Sequence, residues 1–258
     1  MDINLIIAGL IIAIMGLPHG ALDPVVAHRH GLIHNPLTAG LFLGVYLIIA
    51  IAVIMLWMTF PQFTIIGFLV ISALHFGRDW QAIINGGGFG YGAFVVGIPI
   101  IAHADEVRKI FDFLVFDGNS DFTILLLYAL FIIGGLLLSF KLFKLNRRQI
   151  IELIFISAAG IVLSPLWYFV CFFCLLHSPR HLYSEFMQIV PQQRMRATFV
   201  MLVITLITIA TALIFIQQQS AQITSLNQLI YQIIFIGLAA LTVPHMCLLE
   251  WADIKSKP

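Results

Sequence analysis

Long apolar stretches separated by short polar connections make up most of the chain. A membrane-spanning helix needs about 20 mainly apolar residues, within a range of about 17 to 25. Pro61 and Pro165 mark tight connections between consecutive stretches, because proline is poorly tolerated inside a helix. We therefore predict an all-α fold, a polytopic transmembrane helix bundle of eight or nine spans in which residues 1–258 form a single integral-membrane domain. The stretches cover approximately residues 3–18, 37–60, 62–77, 88–103, 121–140, 149–164, 165–178, 197–217 and 228–250.

The basic residues favour nine spans over eight. With nine, the connections alternate sides, and one side carries eleven basic residues while the other carries only Arg108 and Lys109. Cytoplasmic loops of membrane proteins are enriched in lysine and arginine. We therefore predict an external N-terminus and a cytoplasmic C-terminus, in a multi-pass protein of the inner (plasma) membrane. The eleven are Arg29, Arg78, Lys141, Lys144, Arg147, Arg148, Arg180, Arg194, Arg196, Lys255 and Lys257.

Composition excludes a water-soluble domain. The chain is 61% hydrophobic and 10% charged, with a mean hydropathy of +1.04, whereas soluble domains carry about 25% charged residues. The net charge of +1 and the scattered basic residues indicate no nucleic-acid partner. Residues 1–4 lack the positive region of a secretory signal, so we expect the first apolar stretch to be retained. Cys171 and Cys174 lie in an apolar run and are expected to be buried thiols.

Histidine is the residue type that carries candidate chemistry. Ionisable side chains within membrane spans are rare and mark functional sites by default, and neutral imidazole is the commonest metal ligand. In the nine-span arrangement, five of the nine histidines lie at the cytoplasmic ends of spans. They are His19, His75, His177, His181 and His245. His28, His30, His34 and His103 are interpreted as surface residues of polar connections.

His177 and His181 have the spacing that places two side chains on one helical face. Pro179 lies between them and cannot occupy an undisturbed helix interior. We predict that Ser178 caps a new helix that has Pro179 in its first turn. The two imidazoles then lie on either side of a kink and converge on one ion.

His19, His75, His177 and His181 form a set of imidazoles without a thiolate, which suits zinc, copper, iron or nickel. A structural zinc site is closed at four ligands. Iron prefers about six ligands, so four histidines would leave positions for dioxygen and water.

A carboxylate follows three of these histidines at a spacing of four residues. Asp23, Asp79 and Glu185 could therefore orient metal-bound imidazoles, which usually donate their second N–H group to such an acceptor. Pairing with basic side chains is the equal alternative, and its candidates are Arg29, Arg78 and Arg180.

Four phrases resemble the Brp/Blh family of bacterial and archaeal membrane β-carotene 15,15′-dioxygenases. They are Gly-Leu-Pro-His-Gly-Ala-Leu-Asp at 16–23, His-Phe-Gly at 75–77, His-Ser-Pro-Arg-His at 177–181 and Pro-His-Met at 244–246. The first and third are specific, and together the phrases span nearly the whole chain. One departure concerns Asp79, which follows its histidine by four residues where family members often have five.

The resemblance implies non-haem Fe²⁺ held by His19, His75, His177 and His181, with His245 as a further ligand or an outer partner. It also implies cleavage of the central double bond of β-carotene by O₂, which gives two molecules of all-trans-retinal. Membrane lipid, and a retinal-binding opsin that accepts the product, are the expected partners. Aromatic rings near the histidines are candidates for an apolar substrate tunnel, although packing explains each ring as well. They are Phe76, Phe169, Phe172, Phe173 and Phe186.

Two other classes of function compete with this interpretation. A histidine-box membrane desaturase or hydroxylase needs about twice as many histidines for its two irons, in clustered H-x-x-H-H phrases, and the chain has no such phrase. A histidine-lined transporter would place its site near the bilayer midplane, on broken helices of a repeated fold. We find no internal repeat, and the histidines gather at one side.

Overall fold

The computed structural model describes residues 2–81, 88–116, 118–219 and 225–256. Twelve α-helices occupy these ranges, and they fall into two compact units. The first unit comprises residues 1–58 and 174–258, and the second comprises residues 59–173. The helices are α1 (Ile3–Ile11), α2 (Asp23–Arg29), α3 (Pro36–Thr59), α4 (Pro61–Gln81), α5 (Gly88–Gly97), α6 (Ile100–Leu114), α7 (Asp121–Ser139), α8 (Arg147–Val162), α9 (Pro165–Val170), α10 (Ser178–Met187), α11 (Arg194–Gln219) and α12 (Leu226–Ser256).

The all-helical prediction is confirmed for the described residues, and several helices could cross a membrane. Five segments there are long and apolar enough, and a sixth arises if the bent pair α5–α6 is one span. The five are Ile3–Arg29, Pro36–Thr59, Asp121–Ser139, Pro191–Gln218 and Leu226–Lys255.

The fourth predicted stretch, 88–103, is not one straight helix. It breaks between α5 and α6 with a bend of 68°. Pro99 causes the break, because it lacks an N–H group and disfavours helical geometry at the residue before it. His103 departs from helical geometry inside α6, and its Nε2 donates to the Ile161 carbonyl at 3.0 Å. His103 is therefore a partly exposed residue within a helix, rather than in the polar connection that the sequence predicted.

The second unit packs its helices through close backbone contacts. A Cβ atom on Gly92 of α5 would overlap the Ala73 carbonyl of α4, and one on Gly134 of α7 would overlap the Phe94 amide of α5. Only glycine permits such approaches, as is typical of membrane helix pairs. The buried apolar core around these contacts consists of Leu69, Ala73, Ala93, Ile100, Val107, Ile124, Leu127 and Leu130.

The first unit brings the two ends of the chain together around an irregular segment. After α1 the chain forms a π-helix at Ile12–Gly16 and a 3₁₀ helix at Leu17–Leu22 before α2 begins. Pro18 accounts for part of this irregularity, since it removes a backbone donor. The Ser178 hydroxyl of α10 donates to the Met15 carbonyl at 2.6 Å, which ties α10 to this segment. A π-helix of this kind is frequently found at functional sites.

Candidate metal centre

His19 lies in the irregular segment that follows α1. Its Nδ1 donates to the Gly16 carbonyl at 2.5 Å, and its side chain is buried. Because Nδ1 carries the proton of this hydrogen bond, Nε2 is the nitrogen with a lone pair for a metal ion. The irregular backbone therefore both positions the ring and selects its tautomer.

His177 and His181 are presented by a second irregular segment. A π-helix covers Cys171–His177, and α10 begins at Ser178 with Pro179 in its first turn. As predicted, a new α-helix begins here with Pro179 in its first turn, but the predicted cap is wrong. His177 occupies the cap position, and the Ser178 hydroxyl donates to the Met15 carbonyl. The centroids of the two imidazole rings are 6.4 Å apart.

His245 comes from the far end of the chain and belongs to the same cluster. It follows Pro244 inside α12. Its ring centroid lies 5.5 Å from that of His19 and 5.2 Å from that of His181. His19 lies 5.5 Å from His177 and 5.6 Å from His181 by the same measure. Four imidazoles of the first unit therefore surround one small volume.

The spacing of these four rings fits a shared metal ion. Metal–nitrogen bonds of about 2.0–2.1 Å put each ring centroid roughly 3.2 Å from an ion, so two bound rings lie roughly 4.5 to 6.4 Å apart. The five separations given above, 5.2 to 6.4 Å, fall within that range. His19 and His245 also offer ligand nitrogens within 4.8 Å of each other. His19 and His245, which are both buried, could therefore bind a metal.

Asp23 supports the cluster through His245. Nδ1 of His245 donates to Oδ1 of Asp23 at 2.7 Å, and both side chains are almost completely buried. The Tyr46 hydroxyl of α3 donates to Oδ2 of Asp23 at 2.9 Å. The carboxylate thus accepts on both oxygens, and it fixes His245 with Nε2 as the nitrogen that could bind a metal. This is the arrangement usual around metal-bound histidines.

Tyr46 is the residue of this centre that the sequence reasoning missed. It is an isolated hydroxyl in an apolar helix, and it lies in none of the histidine phrases. Its chemistry could have identified it, because a buried tyrosine hydroxyl usually has a hydrogen-bond partner.

The other candidate acids are placed differently. Glu185 pairs with Arg29 at 2.7 Å, which is the ion-pair alternative rather than a contact with an imidazole. Asp79 is half-buried near the end of α4. His75 is buried on the same helix in the second unit, and its ring lies 5.7 Å from that of Phe76.

The candidate tunnel residues are largely packed. Phe76 lies 4.9 Å from Phe172 and 6.5 Å from Phe173, and Phe169 stacks on Phe173 at 5.2 Å, measured between ring centroids. These four rings form one aromatic cluster in the second unit. Phe186 belongs to the first unit and packs against Leu22, Ile189 and Ala197.

An unpredicted polar cluster joins three helices of the second unit. Oε1 of Glu152 on α8 accepts from the Tyr91 hydroxyl at 2.6 Å and from Nε1 of Trp80 at 3.1 Å. The Trp80 and Tyr91 rings stack 4.2 Å apart. Ionisable groups in membrane helices need such partners.

An all-helical protein with several helices that could cross a membrane, and with buried imidazoles that could bind a metal, has the features of a membrane metalloprotein. Comparison with known proteins narrows that class. The family model described as Beta-carotene 15,15′-dioxygenase matches residues 10–253. The Beta-carotene 15,15′-dioxygenase of uncultured marine bacterium 66A03 is 32% identical over 260 residues, which cover 93% of this chain and 91% of that protein. The chain belongs to the β-carotene 15,15′-dioxygenase family. No solved structure matches it.

Proposed function

We propose that this chain is an iron-dependent β-carotene 15,15′-dioxygenase that converts β-carotene and O₂ to two molecules of all-trans-retinal. The observation that carries the proposal is the convergence of four imidazoles in a member of this family. The reaction balances, because one O₂ molecule supplies the oxygen atoms of the two aldehydes that replace one carbon–carbon double bond.

The proposed ligands of Fe²⁺ are His19, His75, His177 and His181, with His245 as an additional ligand. The support for His245 is its hydrogen bond to Asp23, which leaves Nε2 for the metal. The resemblance of the His-Phe-Gly phrase supports His75. The ion would supply the redox chemistry that O₂ needs, because ground-state O₂ reacts slowly with a closed-shell polyene. The imidazoles would hold the ion, and Asp23 would keep His245 in the orientation that binds it.

The proposed setting is the inner membrane, with nine spans, an external N-terminus and a cytoplasmic C-terminus. The asymmetry of eleven basic residues against two supports this orientation. β-Carotene partitions into lipid, so the enzyme would take it from the bilayer. A retinal-binding opsin in the same membrane would be a suitable acceptor for the product.

The decisive experiment is expression in a bacterium that makes β-carotene, followed by assay of the purified protein. Loss of colour with accumulation of retinal is expected, together with about one iron per chain. Chelation should abolish the activity, and Fe²⁺ should restore it. Two irons per chain with a hydroxylated or desaturated product would favour the desaturase class. Ion flux in vesicles without loss of substrate would favour a transporter.

A further inference from the structure

An apolar groove lies between α3 and α12 in the first unit. Its walls include Phe42, Val45 and Ile49 on one face of α3, and Leu248 and Trp251 on the facing side of α12. Thr38 and Tyr46 are its polar lining residues, and the lining among the described residues carries no charge. The groove has a volume of about 300 Å³. Its occupant must therefore be an apolar molecule.

The dimensions of the groove limit the size of its ligand. Its α3 wall runs from Thr38 to Ile49, a length of roughly 16 Å at the helical rise of about 1.5 Å per residue. Pockets of about 300 Å³ lie at the lower limit of those that hold small organic ligands. A volume of this size suits one C20 half of β-carotene and is too small for the whole C40 molecule.

The position of the groove connects it to the histidine cluster. Pro244 lines the groove and directly precedes His245. Tyr46 also lines it, and its hydroxyl donates to Asp23, the carboxylate that holds His245. The groove is thus lined by the sequence neighbour of His245 and by the tyrosine that donates to the carboxylate holding His245. A substrate cleaved at its midpoint needs a binding surface for one half that begins beside the reacting bond.

We propose that the groove between α3 and α12 binds one ring-ended half of the carotenoid substrate. This inference rests on the proposed function, and it adds the surface that positions the central double bond. The flat rings of Phe42, Tyr46 and Trp251 suit a conjugated polyene and its terminal ring. A phospholipid acyl chain is also apolar, but it has no reacting bond that must lie beside the histidines.

The groove proposal can be tested by tryptophan substitutions that fill the groove from each wall and leave the histidines unchanged. Val45→Trp and Cys247→Trp occupy it from α3 and α12, and Leu47→Trp is the matched control. Leu47 is exposed on α3 and does not line the groove. We expect both filled variants to keep wild-type iron content while their KM for β-carotene rises about tenfold, which corresponds to roughly 1.4 kcal/mol of binding. The Leu47→Trp protein should have wild-type KM.

A spectroscopic measurement tests binding without turnover. β-Carotene is achiral, and it gains circular dichroism in its visible band when a protein holds it in one twisted form. Anaerobic wild-type enzyme in phospholipid nanodiscs should induce this signal, the filled variants should lose it, and Leu47→Trp should retain it. Unchanged KM and dichroism in both filled variants would overturn the proposal while leaving retinal formation intact. So would loss of a co-purified phospholipid in those variants with no change in dichroism.

These experiments test the groove proposal and the proposed function separately. If wild-type protein forms no retinal, yet the filled variants lose the induced dichroism, the groove is supported and the dioxygenase function is rejected. If retinal forms and the filled variants behave like wild type, the dioxygenase function is supported and the groove proposal is rejected.

Discussion

Nδ1 of His245 lies 2.7 Å from Oδ1 of Asp23, although 222 positions of sequence separate the two residues. Both side chains are almost fully buried, and a buried carboxylate is stable only with partners that compensate for lost hydration. The Tyr46 hydroxyl provides a second such contact. This pair therefore links α12 to the first residue of α2, directly after the irregular segment that presents His19, and it fixes which nitrogen of His245 can bind a metal.

Asp23→Asn is expected to lower iron affinity by about 10- to 100-fold, because the neutral amide holds the His245 tautomer less firmly. Weak retinal formation should remain and should increase with added Fe²⁺. Tyr46→Phe removes one of the two contacts of the carboxylate, so its effect should be smaller and in the same direction. Iron binding by titration of the stripped protein measures both. An iron affinity for Asp23→Asn equal to that of Asp105→Asn, an exposed control on α6, would refute the positioning role.

Alanine replacement of a metal ligand should abolish retinal formation and reduce bound iron. We expect this for His19, His75, His177 and His181, and a strong loss for His245, whose ring lies within 5.5 Å of the His19 ring. The matched controls are histidines outside the cluster, and they should retain activity. They are His28, His30, His34 and His103.

Retinal and iron should both be measured in that series, on protein of matched expression. Full activity in His177→Ala or His181→Ala would reject the proposed site. A ligand variant that loses iron while the control histidine variants keep theirs would indicate removal of a ligand rather than a general effect of replacing histidine.

Much of the fold follows from apolar patterning, because a helix is the local solution for a long apolar segment in lipid. The start of a new helix at Pro179 was also predictable from local sequence, because proline is tolerated in the first turn of a helix and not in its interior. The partner of Asp23 was not, since the spacing of four residues pointed to His19 and the carboxylate contacts His245. Contacts between residues distant in sequence depend on packing, which the pattern of a single helix does not specify.

Glu152 illustrates the same limit in the second unit. Its partners Trp80 and Tyr91 lie on two other helices, so no local spacing connects the three. Glu152→Ala would leave two buried donors without their acceptor, at a cost of about 1–3 kcal/mol for each. Thermal unfolding in detergent should show a lower Tm, and Glu152→Gln should recover part of it by keeping a carbonyl oxygen. Equal Tm values for the alanine and wild-type proteins would contradict this account.

Gly92→Ala should destabilise the second unit, because the added Cβ would overlap the Ala73 carbonyl and force α4 and α5 apart. A Cβ on Gly40 of α3 meets no atom within 4 Å, so Gly40→Ala is the matched control. That control should be neutral or slightly stabilising, since alanine favours helix by about 1 kcal/mol over glycine. Yield of folded protein and Tm in detergent measure the difference. A Gly92→Ala protein as stable as Gly40→Ala would show that the helices can separate at no cost.

The proposed nine-span orientation predicts the side of each connection. Reporter fusions after Arg29, Arg78, Arg148 and Arg196 should report the cytoplasm, because basic residues are retained on that side. Fusions near Asp112 and Gln219 should report the opposite side. A pair of reporters, one active only in the cytoplasm and one only outside, gives each site its own internal control. The bend of 68° between α5 and α6 makes the fusion near Asp112 the most informative, since a re-entrant segment would return it to the cytoplasm. An external signal at both Arg78 and Arg148 would reject the nine-span arrangement, whereas a cytoplasmic signal near Asp112 alone would reduce the number of spans.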